Sequence, residues 1–253
     1  MNMDIGDILK SWPYKPGEVN VRKIRTKDGV EQLQLRLDLG ILQMSLTGRP
    51  DGARPHGFES LLEYYIDRLA KHRATNIDQP FELNPCDCDQ LRNEGVMYYH
   101  RYLAGFVVGE YEIVKRDTAR NLRMFDLCFK YAQTEEDRSA QEMTRPYVLM
   151  MNARSCAHIA LSQNNPSGAF ESVKHAIEQI EDLYYRLGKQ ELLNCCTELM
   201  TLRSLARDIE LSIPEDPIHR LEKSLKDALC EERYEEAAHI RDRIQQLKSK
   251  ENN

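Results

Sequence analysis

Polar and apolar residues alternate in one early stretch of the chain, and apolar residues recur at helical spacing through nearly all the rest. Val19 to Thr26 is a short strand-like run bounded by Pro16-Gly17 and followed by Lys27-Asp28-Gly29, the Asp-Gly turn favoured in hairpins. From Leu33 the apolar residues alternate at Leu35, Leu37, Leu39 and Ile41, then slip one place to Leu42, Met44 and Leu46. The slip beside Gly40 predicts a bulge or a bend between two strands. A small antiparallel meander of two or three strands is expected, closed by the turn residues Gly48 to Gly52. Next comes a helix from about Phe58 to Lys71, whose face of Leu61, Leu62, Tyr65, Ile66 and Leu69 is expected to cover the sheet.

A polar stretch from His72 to Pro85 reads as the clearest boundary, and long amphipathic helices follow it. One carries Leu91, Gly95, Tyr98, Tyr102 and Phe106; the next, after Gly109, carries Val114, Thr118, Leu122, Phe125 and Phe129. A third starts near Arg145. A fourth shows Ala169, Val173, Ala176, Ile180, Leu183 and Leu187, with Gly188 as its stop. A fifth runs from about Gln190 to Leu211. The last segment is a helical hairpin. Its first stripe is Ile218, Leu221, Leu225 and Ala228 or Leu229, started by Pro217 after an Asp216 N-cap. Its second is Tyr234, Ala237 or Ala238, Ile240 or Arg241, Ile244 and Leu247. So short a hairpin buries too little surface to stand alone, so it must lean on the rest of the chain, on a copy of itself, or on a partner.

The fold class expected is therefore mainly α, α+β overall. Three regions are expected: an α+β domain over 1–75, a helical domain over 86–212 and the terminal hairpin over 216–250. Val107 to Val114 and Asn164 to Ala169 resemble the turns of tetratricopeptide repeats. They stand 55 residues apart, however, against about 34 in a regular array. Antiparallel helical pairs, tetratricopeptide-like in arrangement, are the reading kept. Stacked pairs of this kind present a groove for a peptide or helix.

The run aromatic, Glu, any, Ala-Ala, any, apolar, Arg-Asp, any, apolar is matched without a gap from Tyr234 to Ile244, with Leu221 and Leu225 in place upstream. These residues resemble the UVR motif, the helical hairpin at the C-terminus of the repair protein UvrB, found also in UvrC and in Clp-type protease ATPases. The resemblance implies protein–protein contact, through Leu221, Leu225, Tyr234, Ala237, Ala238, Arg241, Asp242 and Ile244. It implies no catalysis. Partners of the UvrB/UvrC type, a Clp-type ATPase, or a second copy in a homodimer are all expected classes, in DNA repair or in a stress response.

Charge and cysteine usage narrow this picture. A formal net charge of -6 argues against a dedicated nucleic-acid binder. Residues 15–54 are the local exception, with eight Lys/Arg against five acids. Arg22, Lys23, Arg25, Arg49 and Arg54 are the candidates for anion binding, at the N-terminus of the following helix, or for weak DNA contact in an accessory repair factor. A solvated sheet edge kept soluble by charge explains the strand residues equally well. Tyr98 and Tyr102 mix with His100 and Arg101 as in single-stranded nucleic-acid platforms, but their spacing with Leu91 and Phe106 makes them core. Seven cysteines at scattered positions form no disulfide framework, and Cys86-Asp87-Cys88 lacks the spacing and the second pair of a zinc site. No nucleophile-base pair, phosphate loop or metal set has usable spacing; His56 with Glu59 and His100 with Glu110 are chance-level pairs. No run approaches the roughly 18 apolar residues of a membrane span, and Met1 to Gly17 lacks a secretory signal's pattern. The expectation is a cytoplasmic adaptor that is not an enzyme and needs no cofactor or metal, with an unrecognised N-terminal active site as the alternative.

Overall fold

The computed structural model describes residues 4–75, 79–213, 221, 225, 226, 228 and 233–251, excepting the side chains of 246–251. The chain divides into two compact units, residues 1–207 and 208–253. The first unit starts with a short helix, α1 (Gly6–Ser11), and a three-stranded antiparallel sheet, β1 (Asn20–Arg25), β2 (Glu31–Arg36) and β3 (Ile41–Ser45). Six helices follow: α2 (Leu61–Ala74), α3 (Pro85–Val107), α4 (Tyr111–Tyr131), α5 (Glu135–Ser139), α6 (Arg145–Ser162) and α7 (Pro166–Arg186). Helix α8 (Thr197–Ser212) spans the division, and α9 (Tyr234–Glu251) ends the second unit. The mainly α class with a small meander is what the structure shows.

The sheet follows its alternation in part: Leu33 and Leu35 lie in β2, while Leu37 and Leu39 fall in the turn beyond it and are exposed. Gly29, at φ 79°, turns β1 into β2, and the Leu37 N–H donates to the Gly40 carbonyl at 2.9 Å where the pattern slips, turning β2 into β3. Leu33 pairs with Met44 and Leu35 with Leu42, so both pairs project to one face. That face, with Val21 and Leu46, packs on Ala104 and Val108 at the end of α3. The sheet is thus covered by α3. Helix α2 does something different from the expectation: Leu61, Leu62 and Tyr65 join Leu83, Cys88, Leu91, Met124, Phe125, Cys128 and Val148 in a core built from helices. An amphipathic stripe declares that a helix is buried on one side, but not against which neighbour.

Caps fix the helix starts. Asn84 and Asp87 form a reciprocal capping box ahead of Pro85, with bonds of 2.9 and 3.2 Å. Asn165 accepts from the Gly168 N–H at 2.9 Å ahead of Pro166. Successive helices then pack in order, α3 on α4, α4 on α6 and α6 on α7, and the three-residue link between α3 and α4 makes that pair antiparallel. Gly95 lets α3 approach α4 closely, since a Cβ there would stand 2.7 Å from Met124 Cε. The expected fifth helix is broken: Gln190–Cys195 is a 3-10 turn, and Cys196 is extended at ψ 108° before α8 begins. The 3.6-residue period continues across this break, so the spacing alone did not reveal it.

Buried charges tie the sheet to the helices. Arg101 and Asp117 are both fully buried and meet in a bidentate pair of 2.6 and 2.9 Å, while Arg101 also donates to the Ser45 carbonyl at the end of β3. Arg116 reinforces Asp117 and donates to the Leu46 carbonyl. Nearby, the buried Glu94 carboxylate on α3 accepts from Arg120 of α4 and from the backbone N–H groups of Leu61 (2.8 Å) and Leu62 (3.3 Å). Tyr98 lies between the Arg101 and Arg120 guanidinium groups, 4.9 and 4.2 Å from its ring centre. Desolvation lowers the Arg120 pKa, and the Glu94 carboxylate opposes that shift.

Candidate functional site

The second unit is shaped by which residues its helices turn inward. On α9, Ala237 and Ile244 are buried, at 5% and 7% exposure, and Ile240 is half-buried. These three recur at steps of three and four, forming one stripe. From the preceding segment Ala228 is fully buried, and Leu221 and Leu225 are half-buried. The Arg233 N–H donates to the Ala228 carbonyl at 2.8 Å, joining that segment to the start of α9. Asp216, Pro217, Ile218 and Leu229, named in the expected first helix, lie outside the described residues, as does the side chain of Leu247 in the expected second.

The stripe of α9 that flanks this buried one is open. Tyr234 is 65% exposed, and Ala238, Arg241 and Asp242 are exposed as well. Arg241 and Asp242 pair with each other at 3.0 Å in solvent. The two adjacent alanines therefore have different places, Ala237 inside and Ala238 outside. A ring on one turn, a methyl on the next and an Arg-Asp pair beyond it make a strip with an aromatic anchor, a point of close approach and a charged end. Such a strip suits recognition of another protein.

The candidate anion-binding residues are spread over β1 and the loop after β3, and several are engaged. Arg22 lies over Trp12 at 4.2 Å and donates to Gln34. Lys23 reaches Glu31 at 2.9 Å and Glu110 at 2.8 Å, and these partners raise its pKa. Arg49 stands 3.2 Å from Asp51 and 3.6 Å from Glu94. Arg25 and Arg54 are exposed. At the start of α2, where an anion was expected to sit, Glu94 and the Ser60 hydroxyl already accept from the free N–H groups.

Tyr98 and Tyr102 are buried, as core residues should be. The cysteine pair diverges, Cys86 exposed and Cys88 in the core beside Cys128, whose thiol burial pushes up to about 12. His56 stacks on Tyr64 at 4.1 Å, and Glu110, a proposed partner of His100, is held by Lys23. The residues that sequence reasoning missed are Glu94 and Arg101. The signal was there: each falls on the α3 stripe beside Leu91, Tyr98 and Tyr102, and a charge on an apolar stripe announces a buried partner. Among the described residues no helix is long and apolar enough to cross a membrane.

No curated protein and no solved structure matches the chain. Residues 215–250 match the UVR family model, the UvrB/uvrC motif, and this match covers all but the last residue of the helix with the open stripe.

Proposed function

We propose that the protein is a non-enzymatic cytoplasmic adaptor that binds partner proteins through the exposed stripe of its C-terminal hairpin, with the helical pairs of the first unit as a second, tetratricopeptide-like binding surface. The carrying observation is the two-faced α9: Ala237 and Ile244 are turned inward while Tyr234, Ala238, Arg241 and Asp242 are left in solvent inside the UvrB/uvrC match. Partners of UvrB/UvrC type, a Clp-type ATPase, or a second copy of the chain fit this reading, in repair or in a stress response.

The test is affinity capture by the full chain and by a chain lacking residues 217–253, with size-exclusion chromatography of both. A protein held by the first and lost by the second, or a dimer that becomes a monomer, supports the adaptor reading; identical captured sets and identical sizes refute it. Duplex DNA serves as a further probe. With a net charge of -6, binding at physiological salt is expected to be no tighter than the non-specific range of roughly 10⁻⁴ to 10⁻⁶ M. Nanomolar affinity lost on changing Arg22, Lys23 and Arg25 to Glu would favour the accessory repair role instead.

A further inference from the structure

A run of rings and cations follows α2 and the loop before it. His56, exposed and held at φ 51°, stacks on Tyr64 with ring centres 4.1 Å apart, and Phe58 meets the same ring edge-on at 5.6 Å. The Arg68 guanidinium, one turn along α2, lies 5.7 Å from the Tyr64 ring centre and 5.9 Å from that of Phe81. Phe81 in turn meets Tyr131 edge-on at 5.4 Å. Arg73 donates to the Tyr131 hydroxyl at 2.6 Å, and the Lys130 ammonium stands 5.5 Å from the Tyr131 ring centre. Each member adjoins the next. Tyr64, Phe81 and Tyr131 rest on the helical core and are half-buried, whereas His56, Arg68, Arg73 and Lys130 are exposed.

The cations of this run are not spent on carboxylates. Arg54, exposed and two positions before His56, forms no ion pair among the described residues, and neither do Arg68, Arg73 and Lys130. Of the acids beside them, Glu63 is paired with Arg123 at 3.2 Å and Asp67 with Lys71 at 2.7 Å, while Glu59 and Glu82 are exposed. The local balance therefore favours an anion. At physiological salt, charges beyond about 8 Å are largely screened, so the net charge of -6 does not cancel this group. Cations interleaved with rings are how a surface holds phosphates and bases together.

We propose that this run binds a single-stranded nucleic acid, its phosphates on Arg54, Arg68, Arg73 and Lys130 and its unpaired bases on the exposed His56 ring and the half-exposed rings beyond it. A duplex suits the run less well, because its bases are already stacked on one another and turn no ring face outward. An acidic peptide would pair with the cations and leave the rings unused.

The experiment uses the full chain and fluorescence anisotropy with labelled strands of about 12 nucleotides, a length within single-strand site sizes. The probes are an oligothymidylate, its duplex, and an abasic strand that carries the same phosphates without bases. The oligothymidylate is expected to bind saturably, about tenfold more tightly than the duplex or the abasic strand, the effect of stacking one base. Arg54→Glu and Lys130→Glu, exposed at the two ends of the run, should each weaken binding and flatten its log–log salt slope by about 0.7 or more at an unchanged melting temperature. His56→Gly with Tyr64→Leu removes the stacked pair, glycine being suited to the positive φ at 56, and should bring the oligothymidylate down to the abasic strand. No saturable binding, or equal binding of the three probes, overturns the inference. So does single-strand binding that both charge variants leave unchanged, or a preference for bases that survives in the ring variant. If the ring variant misfolds, the charge variants decide. An oligoglutamate of equal charge that binds as tightly would show an acidic-peptide surface and would likewise overturn it. These residues lie outside 217–253 and outside β1, so the outcomes are separate from those that test the hairpin or a duplex contact.

Discussion

Arg101 with Asp117 and Arg241 with Asp242 are the same chemical pair in opposite settings. The first is fully buried, bidentate, and anchored to the end of β3; the second has its side chains 68% and 59% exposed, on neighbouring positions of α9. In the first unit the pair, once dehydrated, works as a joint: Asp117 cannot be lost without stranding the Arg101 charge. In the second unit the pair is largely exposed to solvent and contributes little to folding. An ion pair's burial, more than its length, decides how much it contributes to the fold.

That contrast is broken hardest by Asp117→Ala. The variant leaves Arg101 charged, buried and without its bidentate partner, and should cost about 3–5 kcal/mol of stability, read as a large fall in the melting temperature and in the denaturant midpoint. A loss within 1 kcal/mol would mean that water or a rearranged Arg116 takes over, and the joint would not be one. Next in size is Gly95→Ala. The added methyl meets the end of a flexible Met124 side chain, so the expected cost is about 1 kcal/mol, at the low end for overpacking.

Acid should weaken the first unit in a smaller, graded way. Burial lowers the pKa of His100 and of His158, the latter also beside the Arg154 cation. Both therefore take up protons more readily when unfolded. Their stabilising contribution is complete above the unfolded value of about 6.5 and is lost as the pH falls through it toward the folded values. Melting temperature should drop from pH 7 to pH 5, and His100→Gln should flatten that slope; an unchanged slope would remove His100 from the account. The smallest effect belongs to Arg241→Ala, expected to change stability by no more than about 0.5 kcal/mol. A loss comparable with that of Asp117→Ala would erase the distinction between the two pairs.

Periodicity made much of the first unit legible. Leu33, Leu35 and Met44 on one sheet face, Tyr98 and Tyr102 in the core, and the stops at Gly109 and Gly188 follow from spacing and from residues that tolerate positive φ. What spacing cannot carry is the identity of the neighbour. The α2 stripe gave no sign that its partners were α3, α4 and α6 instead of the sheet, and the polar stretch after it does not separate α2 from those helices by contact. The filled N-terminus of α2 was equally hidden, because Glu94 lies more than 30 residues away and only the fold brings it there. In the hairpin the motif named both alanines, while the assignment of Ala237 to the inside and Ala238 to the outside needed the structure, since neighbours on a helix differ by about 100° and either alanine fits the spacing.

Ala238→Glu asks most directly whether the open stripe binds a protein. The side chain is exposed, so the variant should melt with the parent, while an unpaired charge placed in a close contact should cost about 2 kcal/mol or more of binding. Full-length parent and variant are compared side by side by affinity capture with quantitative mass spectrometry and by size-exclusion chromatography. The account predicts at least one captured protein, or the self-associated form, reduced by about tenfold or more in the variant at an unchanged melting temperature. Equal capture and equal size in a correctly folded variant would contradict it and leave the hairpin as a structural cap.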